Sequence, residues 1–318
     1  MRESKQYKLT KKFFDDVAHE WYERTYDPRK LFAKFPVNGA RRDTAFTEIS
    51  KLLPHGGRTM DLGCGTGQLV IDLLKAGYTA EGIDIAPQMI AEARKHFRAE
   101  NRKENPDAIF TIGDFRDVRK KGSYDTVTAL GLLEYLDNER ELFRTLKKTV
   151  RTDGFALVEC RNALFGLFTA NAYTEALLKG SSARKQIAAL NDVDRFSPLS
   201  FEKVPEIYAA VSARMAEFLA KAAKDSLWKK ESRARFTPFP KGMMRTAQTP
   251  QELEVMGSEY GFTLDYVVYY HFHPFLPKYE KLFPRIFNKL SLLMAPLGQT
   301  PLGASTASAF IGILRRRT

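Results

Sequence analysis

One short run constrains this chain more than any other. From Arg58 to Gln68 it reads Arg-Thr-Met-Asp-Leu-Gly-Cys-Gly-Thr-Gly-Gln, so apolar residues end at Asp61 and glycines follow at 63, 65 and 67. Leu69-Val70-Ile71-Asp72-Leu73-Leu74 then recurs with helical period. The pattern predicts a strand that enters a turn without side chains and leaves it as a helix. Glycine permits positive φ and lets a ligand approach the peptide plane. The first N–H groups of the helix have no intrahelical acceptor, so they suit a carboxylate or phosphate.

The glycine spacing argues against a dinucleotide. A pyrophosphate fingerprint places its third glycine one residue later than Gly67, and Asp61 would repel a pyrophosphate but attract an ammonium group. A nucleoside joined to an amino-acid zwitterion, such as S-adenosylmethionine, fits better. Further strands sharpen this. Ala80 to Ile85 reads as a second strand ending in Asp84, near the distance at which a carboxylate meets ribose hydroxyls in doubly wound folds, and Pro87 opens the next helix. Ala108 to Ile112 reads as a third strand ending in Gly113-Asp114-Phe115, which offers an acceptor and an apolar ring to an adenine. Tyr124 to Leu130 is expected as the fourth strand, followed by Gly131-Leu-Leu-Glu134-Tyr135, and Gly154 to Cys160 as the fifth.

On these residues the chain resembles the class I S-adenosylmethionine-dependent methyltransferases over about residues 40 to 160. The resemblance implies that Asp61, Gly63, Gly65 and Gly67 hold the methionine portion, and that Asp84 binds the ribose with Ile85 against the adenine. It gives Asp114 and Phe115 to the adenine, and the backbone at Leu130 and Gly131 to the methionine amine. Many small-molecule members read Leu-Glu-His after the fourth strand; this chain reads Leu133-Glu134-Tyr135, so a histidine role there does not carry over. The implied fold is α/β, a doubly wound, seven-stranded, mostly parallel sheet with an antiparallel last strand, a helical lid insertion and an N-terminal helical cap.

The expected organisation is a cap over residues 1–40, a cofactor-binding core over 41–161, a helical lid or substrate insertion over 162–248, and the remainder of the core over 249–318 with an excursion at 274–306. In the first, an aromatic helix from Lys11 to Tyr26 brings Tyr22 and Tyr26 as candidates to close over the cofactor. The insertion follows the fifth strand and therefore overhangs the carboxyl edge of the sheet, where ligands bind in open α/β folds. Helical stretches are expected at 171–178, 182–190 and 205–219, and Arg161 and Asn162 stand at its root. Strands six and seven are expected at 263–272 and 307–314 as an antiparallel hairpin.

With 318 residues and 44% apolar content, the chain can bury a large core. Cys64 and Cys160 form neither a disulfide framework nor a metal quartet, and the start of the chain lacks the apolar core of a signal peptide, so the cytoplasm is the expected compartment and no metal is expected. The net charge of +12 is concentrated in part between Lys221 and Arg245. That segment reads as a solvated face or as a patch for an anionic partner; without an RNA-binding signature, nucleic acid ranks low. Peripheral membrane contact and a homodimer are kept open for the apolar excursion.

Methyl transfer from a sulfonium is an in-line displacement, so the protein must align the partners and remove a proton from a hydroxyl acceptor. His271 and His273 are two apart on a strand and face the same way, with ordinary pKa values suited to a base titrating between about pH 6 and 7. Glu134, Tyr135 and Arg161 are the other candidates. The leading expectation is a methyltransferase acting on oxygen or nitrogen of a small or lipid-attached molecule such as a sugar, quinone precursor or secondary metabolite. The alternatives are an RNA or protein methyltransferase and a non-catalytic cofactor-binding subunit.

Overall fold

Arg58–Leu62 (β1), Thr79–Asp84 (β2), Phe110–Ile112 (β3), Tyr124–Ala129 (β4), Val150–Arg161 (β5), Phe262–Phe272 (β6) and Ala307–Arg316 (β7) make one sheet in the order β3-β2-β1-β4-β5-β7-β6 in the computed structural model. Residues 4–26, 35–100, 103–119, 121–169, 174, 182–222, 238–243, 245–276, 279–280 and 282–317 are described by this structure. The first five strands pair in parallel, and β7 lies antiparallel between β5 and β6. All seven expected strands are present, with the antiparallel β7 that the hairpin requires. Boundaries moved where local chemistry differs from periodicity. Pro106 and its capping residue Asn105 turn residues 106–109 into a helical turn, which shortens β3. Asp153, at φ +59, introduces an irregularity that lets β5 begin at Val150 instead of Gly154.

In chain order the helices are α1 (Lys5–Thr25), α2 (Val37–Leu52), α3 (Gln68–Lys75), α4 (Pro87–Ala99), α5 (Pro106–Ile109), α6 (Glu139–Thr149), α7 (Ser182–Ala189), α8 (Val204–Ala222), α9 (Pro250–Ser258), α10 (Pro284–Leu293) and α11 (Gly303–Thr306). The connections β1-α3-β2-α4 return each strand parallel to the last, as a crossover helix must. α1 starts at Lys5, earlier than Lys11, because Ser4 accepts a hydrogen bond from the Tyr7 N–H and caps it. Its buried residues Phe13, Val17, Ala18 and Trp21 share one face and pack on Ala86 and Met89 at the start of α4. This packing places the N-terminal helix beside the turns that follow β2 and β3. Thr249 and Glu252 form a reciprocal cap at α9, and Gly261, at φ +80, ends the segment that leads into β6.

The central strands are buried on both faces, β4 and β7 nearly throughout, and two apolar clusters fill the two sides of the sheet. Polar chemistry is thereby displaced to the strand ends. Among the described residues no helix is long and apolar enough to cross a membrane. Of the expected insertion helices, the one at 171–178, apart from residue 174, and most of the basic segment, residues 223–237, lie outside the described residues.

Candidate active site

A cavity of about 1340 Å³ runs along the carboxyl edge of the sheet. One half of its wall follows β1 to β4, where Asp61, Gly63, Gly65, Asp84, Ile85 and Leu130 come together with Asp114 and Phe115. Gly63, Gly65 and Gly67 all have positive φ, and a side-chain carbon built on Gly65 would meet nothing within 4 Å, so this peptide borders open space. Gly67 and Tyr22 stand outside the wall. A Cβ on Gly67 would come within 2.7 Å of Phe110 and 2.9 Å of Ala93, so packing explains that glycine. Tyr22 is 38% exposed and stacks on Tyr26, and it is Tyr26 that lines the cavity.

The acids in this half have distinct surroundings. Asp61 is buried and accepts from Thr128 Oγ1 at 2.6 Å, yet no cation pairs with it among the described residues. Burial pushes its pKa up to about 7, against the Thr128 hydrogen bond and the charge of Arg41, which lower it. Asp84 accepts from the Gly65 N–H at one oxygen and the Ala86 N–H at the other, both at 2.9 Å, so it braces the glycine turn. Burial still raises it to about 6. For Asp114 burial also acts upward, but hydrogen bonds and charge from Arg116, with a further bond from Tyr7, outweigh it and hold the carboxyl below its ordinary value. Tyr7 brings α1 directly to the wall at this end.

The other half of the wall lies over β5, β7 and β6 and contains the remaining predicted residues, Glu134, Tyr135, Arg161, His271 and His273. The two imidazoles face the same side as the spacing requires, with ring centroids 4.6 Å apart. His271 takes φ +57, stacks on Phe35 at 4.3 Å and has Ser308 Oγ 2.7 Å from Nδ1. His273 sits among Phe165 and Phe287, and neither of its ring nitrogens has a hydrogen-bond partner among the described residues. Burial pushes it down to about 4, so the titration between pH 6 and 7 expected from an ordinary histidine does not apply to His273. Glu134 is buried, accepts from Arg245 Nε at 2.9 Å and lies 3.6 Å from Arg161 Nη1.

Sequence reasoning missed the group that joins the halves. Glu159, buried near the end of β5, accepts from the Gly131 N–H at 2.6 Å, Tyr270 OH at 2.7 Å and Arg41 Nη1 at 3.2 Å. Arg41 reaches in from α2, and its guanidinium occupies the space beside Gly131: a Cβ there would lie 2.1 Å from Nη1. Gly131, at φ +66, is therefore fixed twice, by backbone conformation and by close approach. A charged residue inside the apolar run Phe155-Ala-Leu-Val-Glu-Cys was the available signal, since a buried carboxylate demands partners. Arg41, Arg245 and Ser308 had none, because they reach the wall only through folding. Among the described residues no three His, Cys, Asp or Glu side chains gather as a metal site.

The donor set and shape fit S-adenosylmethionine. Asp61 lacks a cation, Gly65 faces open space, Asp84 retains lone pairs beyond its two backbone bonds, and Arg41 supplies positive charge beside the turn after β4. A family model described as a methyltransferase domain matches residues 60–156. The chain is 24% identical over 188 residues to a ubiquinone biosynthesis O-methyltransferase of Burkholderia pseudomallei (strain 1710b), covering 58% of this chain and 78% of that protein. It is 26% identical over 144 residues to the protein of the same name from Xanthomonas axonopodis pv. citri (strain 306), covering 44% of this chain and 56% of the relative. Magnesium protoporphyrin IX methyltransferase (ChlM) from Synechocystis PCC 6803, solved with bound SAH, shares the fold with a TM-score of 0.53 and 14% identity, over 97% of this chain and 99% of that one.

Proposed function

We propose that this class I S-adenosylmethionine-dependent methyltransferase delivers its methyl group to an oxygen or nitrogen of a small acceptor held over β5, β7 and β6. The observation that carries this reading is the continuity of the cavity: the glycine turn and its acids share one cavity wall with the histidines, Arg161 and Glu134. The curated relatives named for O-methylation in ubiquinone biosynthesis favour a hydroxyl acceptor.

In this reading S-adenosylmethionine supplies an electrophilic methyl on a positively charged sulfur, which leaves as a neutral thioether. Asp61 attracts the ammonium group and Arg41 the carboxylate of the methionine end, while Asp84 accepts from the ribose. Asp114 and Phe115 border the adenine, with Tyr7 closing that side, while Tyr26 stands at the other end near Asp61 and Arg41. Glu159 fixes Arg41 and the Gly131 peptide together, so the methionine end meets a prearranged charge pattern. Gly67 acts through packing.

On the acceptor side, Ser308 can donate to the His271 carbonyl oxygen 3.4 Å away, which leaves its oxygen to accept from Nδ1–H and makes Nε2 the basic nitrogen of His271. His271 Nε2 is buried in the wall, so the acceptor hydroxyl must displace what covers it before His271 receives its proton as the new bond forms; His273 contributes a neutral, desolvated face beside it. Glu134, already committed to Arg245 and Arg161, positions those side chains.

The test is transfer of tritium from methyl-labelled cofactor to a panel of hydroxylated aromatics, with total RNA and protein as competing acceptors. The proposal expects label in a small organic product and loss of most turnover in His271→Ala with cofactor affinity retained. Label confined to RNA or protein would replace it with the macromolecular reading, and cofactor binding without transfer to any class would favour a non-catalytic subunit.

A further inference from the structure

Two guanidinium groups converge on one carboxylate in the acceptor half of the cavity. Arg245 Nε donates to Glu134 Oε2 at 2.9 Å, and Arg161 Nη1 stands 3.6 Å from the same oxygen. Arg245 is steadied by aromatic faces, with its guanidinium carbon 4.6 Å from the Phe239 ring centre and 5.9 Å from that of Tyr135. Such stacking fixes a planar cation without using its terminal N–H groups. Among the described residues, the terminal nitrogens of Arg245 donate no hydrogen bond, and the side chain of Arg161 makes none at all. Both arginines line the cavity and remain about one-third open, 34% for Arg245 and 36% for Arg161, whereas Glu134 is almost enclosed at 8%.

Local balance follows from this arrangement. One carboxylate cannot neutralise two guanidinium ions, so a unit of positive charge and several fork-shaped donors point into a partly desolvated space. Guanidinium donors in that state match the two oxygens of a carboxylate or phosphate. Arg161 ends β5, while His271 lies near the end of β6, with β7 between them. At the usual strand spacing the two subsites are therefore about 10 Å apart at the backbone.

We infer that the methyl acceptor is an acid whose carboxylate or phosphate is gripped by Arg161 and Arg245. This rests on the proposed function of the same cavity and adds the charge class of its substrate. Glu134 holds the two arginines in place and competes with the incoming acid.

The experiment is calorimetric titration of the whole 318-residue chain saturated with S-adenosylhomocysteine, using benzoate, phenyl phosphate and the neutral benzyl alcohol as probes. At least one acid should bind about tenfold or more tightly than the alcohol, and the better of the two identifies the acid. Arg161→Gln and Arg245→Gln should each weaken that acid by about tenfold while leaving the nucleoside within about twofold. Arg245→Lys should restore only part, since it keeps the charge and loses the fork. Glu134→Gln should strengthen acid binding severalfold, a direction that simple loss of packing would not produce. Equal binding of acid and alcohol, no acid binding in the millimolar range, or acid affinity indifferent to all these variants would overturn the anion subsite. Failure to take up S-adenosylhomocysteine would instead overturn the methyltransferase reading beneath it.

Discussion

Asp61 offers the most quantitative prediction, because its environment before and after binding differs in one identifiable respect. In the free protein it is buried with no counter-ion among the described residues, and burial pushes its pKa up to about 7. A bound ammonium would supply that counter-ion and return the group to roughly the ordinary carboxylate value near 4, a shift of about three units, or about 4 kcal/mol of pH-dependent binding energy. The sign follows directly. The free state binds the proton more tightly, so affinity should rise with pH from about 4 to about 7 and flatten above that. At pH 7 about half of the free protein carries the Asp61 proton, and binding should release close to half a proton; at pH 6 Asp61 should release about nine-tenths, with a smaller share from Asp84. Calorimetry with S-adenosylhomocysteine in phosphate and Tris buffers, which differ in ionisation enthalpy, counts that proton. Asp61→Asn should remove the Asp61 share and flatten the pH dependence. Proton uptake at pH 6, or the same release in the asparagine variant, would refute the assignment of the ammonium to Asp61.

Four further outcomes are expected. Gly65→Val should abolish nucleoside binding, because φ +52 strains a β-branched residue and its side chain would project into the cavity; Asp84→Ala should cost roughly 1.5 to 3 kcal/mol of affinity by calorimetry, as loss of hydrogen bonds to a charged group does. Gly131→Ala should lower both thermal stability and nucleoside affinity by about 1 to 3 kcal/mol, because the added carbon overlaps the Arg41 guanidinium and would break its contact with Glu159. For His273 the folded value, about 4, lies below the unfolded one, so its contribution is intact above about pH 6.5 and is lost as pH falls toward 4. Denaturant unfolding of wild type against His273→Ala should show a difference in that window amounting to about 3 kcal/mol, the comparison cancelling opposite contributions from Asp61 and Asp84.

The sequence revealed those parts of the site whose chemistry is local. Asp61, Gly63 and Gly65 follow one another at the end of β1, and Asp84, Asp114 and Leu130 each mark the end of a strand, so period and punctuation sufficed to bring them to one edge. Arg41 and Glu159 are 118 residues apart, and Arg245 and Glu134 are 111 apart. Such pairs leave no local pattern; only the cost of burying an unpartnered charge hints at them, and it does not name the partner. Tyr22 and Tyr26 lie one helical turn apart, which periodicity alone cannot separate. The structure separates them because α1 ends at Thr25 and the chain turns Tyr26 inward. The histidine spacing correctly placed both rings on one side, whereas the depressed His273 pKa depends on burial beside Phe165, which arrives from a segment far away in sequence, and Phe287, which returns on the following helix α10.

The central claim is that one cavity binds the cofactor at the glycine turn and methylates an acceptor across the sheet. The most direct measurement is transfer from methyl-tritiated S-adenosylmethionine by wild type and Gly65→Val, followed by separation of small organic product, RNA and protein. The account predicts label in the small organic fraction for wild type and none for the variant. Equal labelling by Gly65→Val, or wild-type label residing only in RNA or protein, would contradict it.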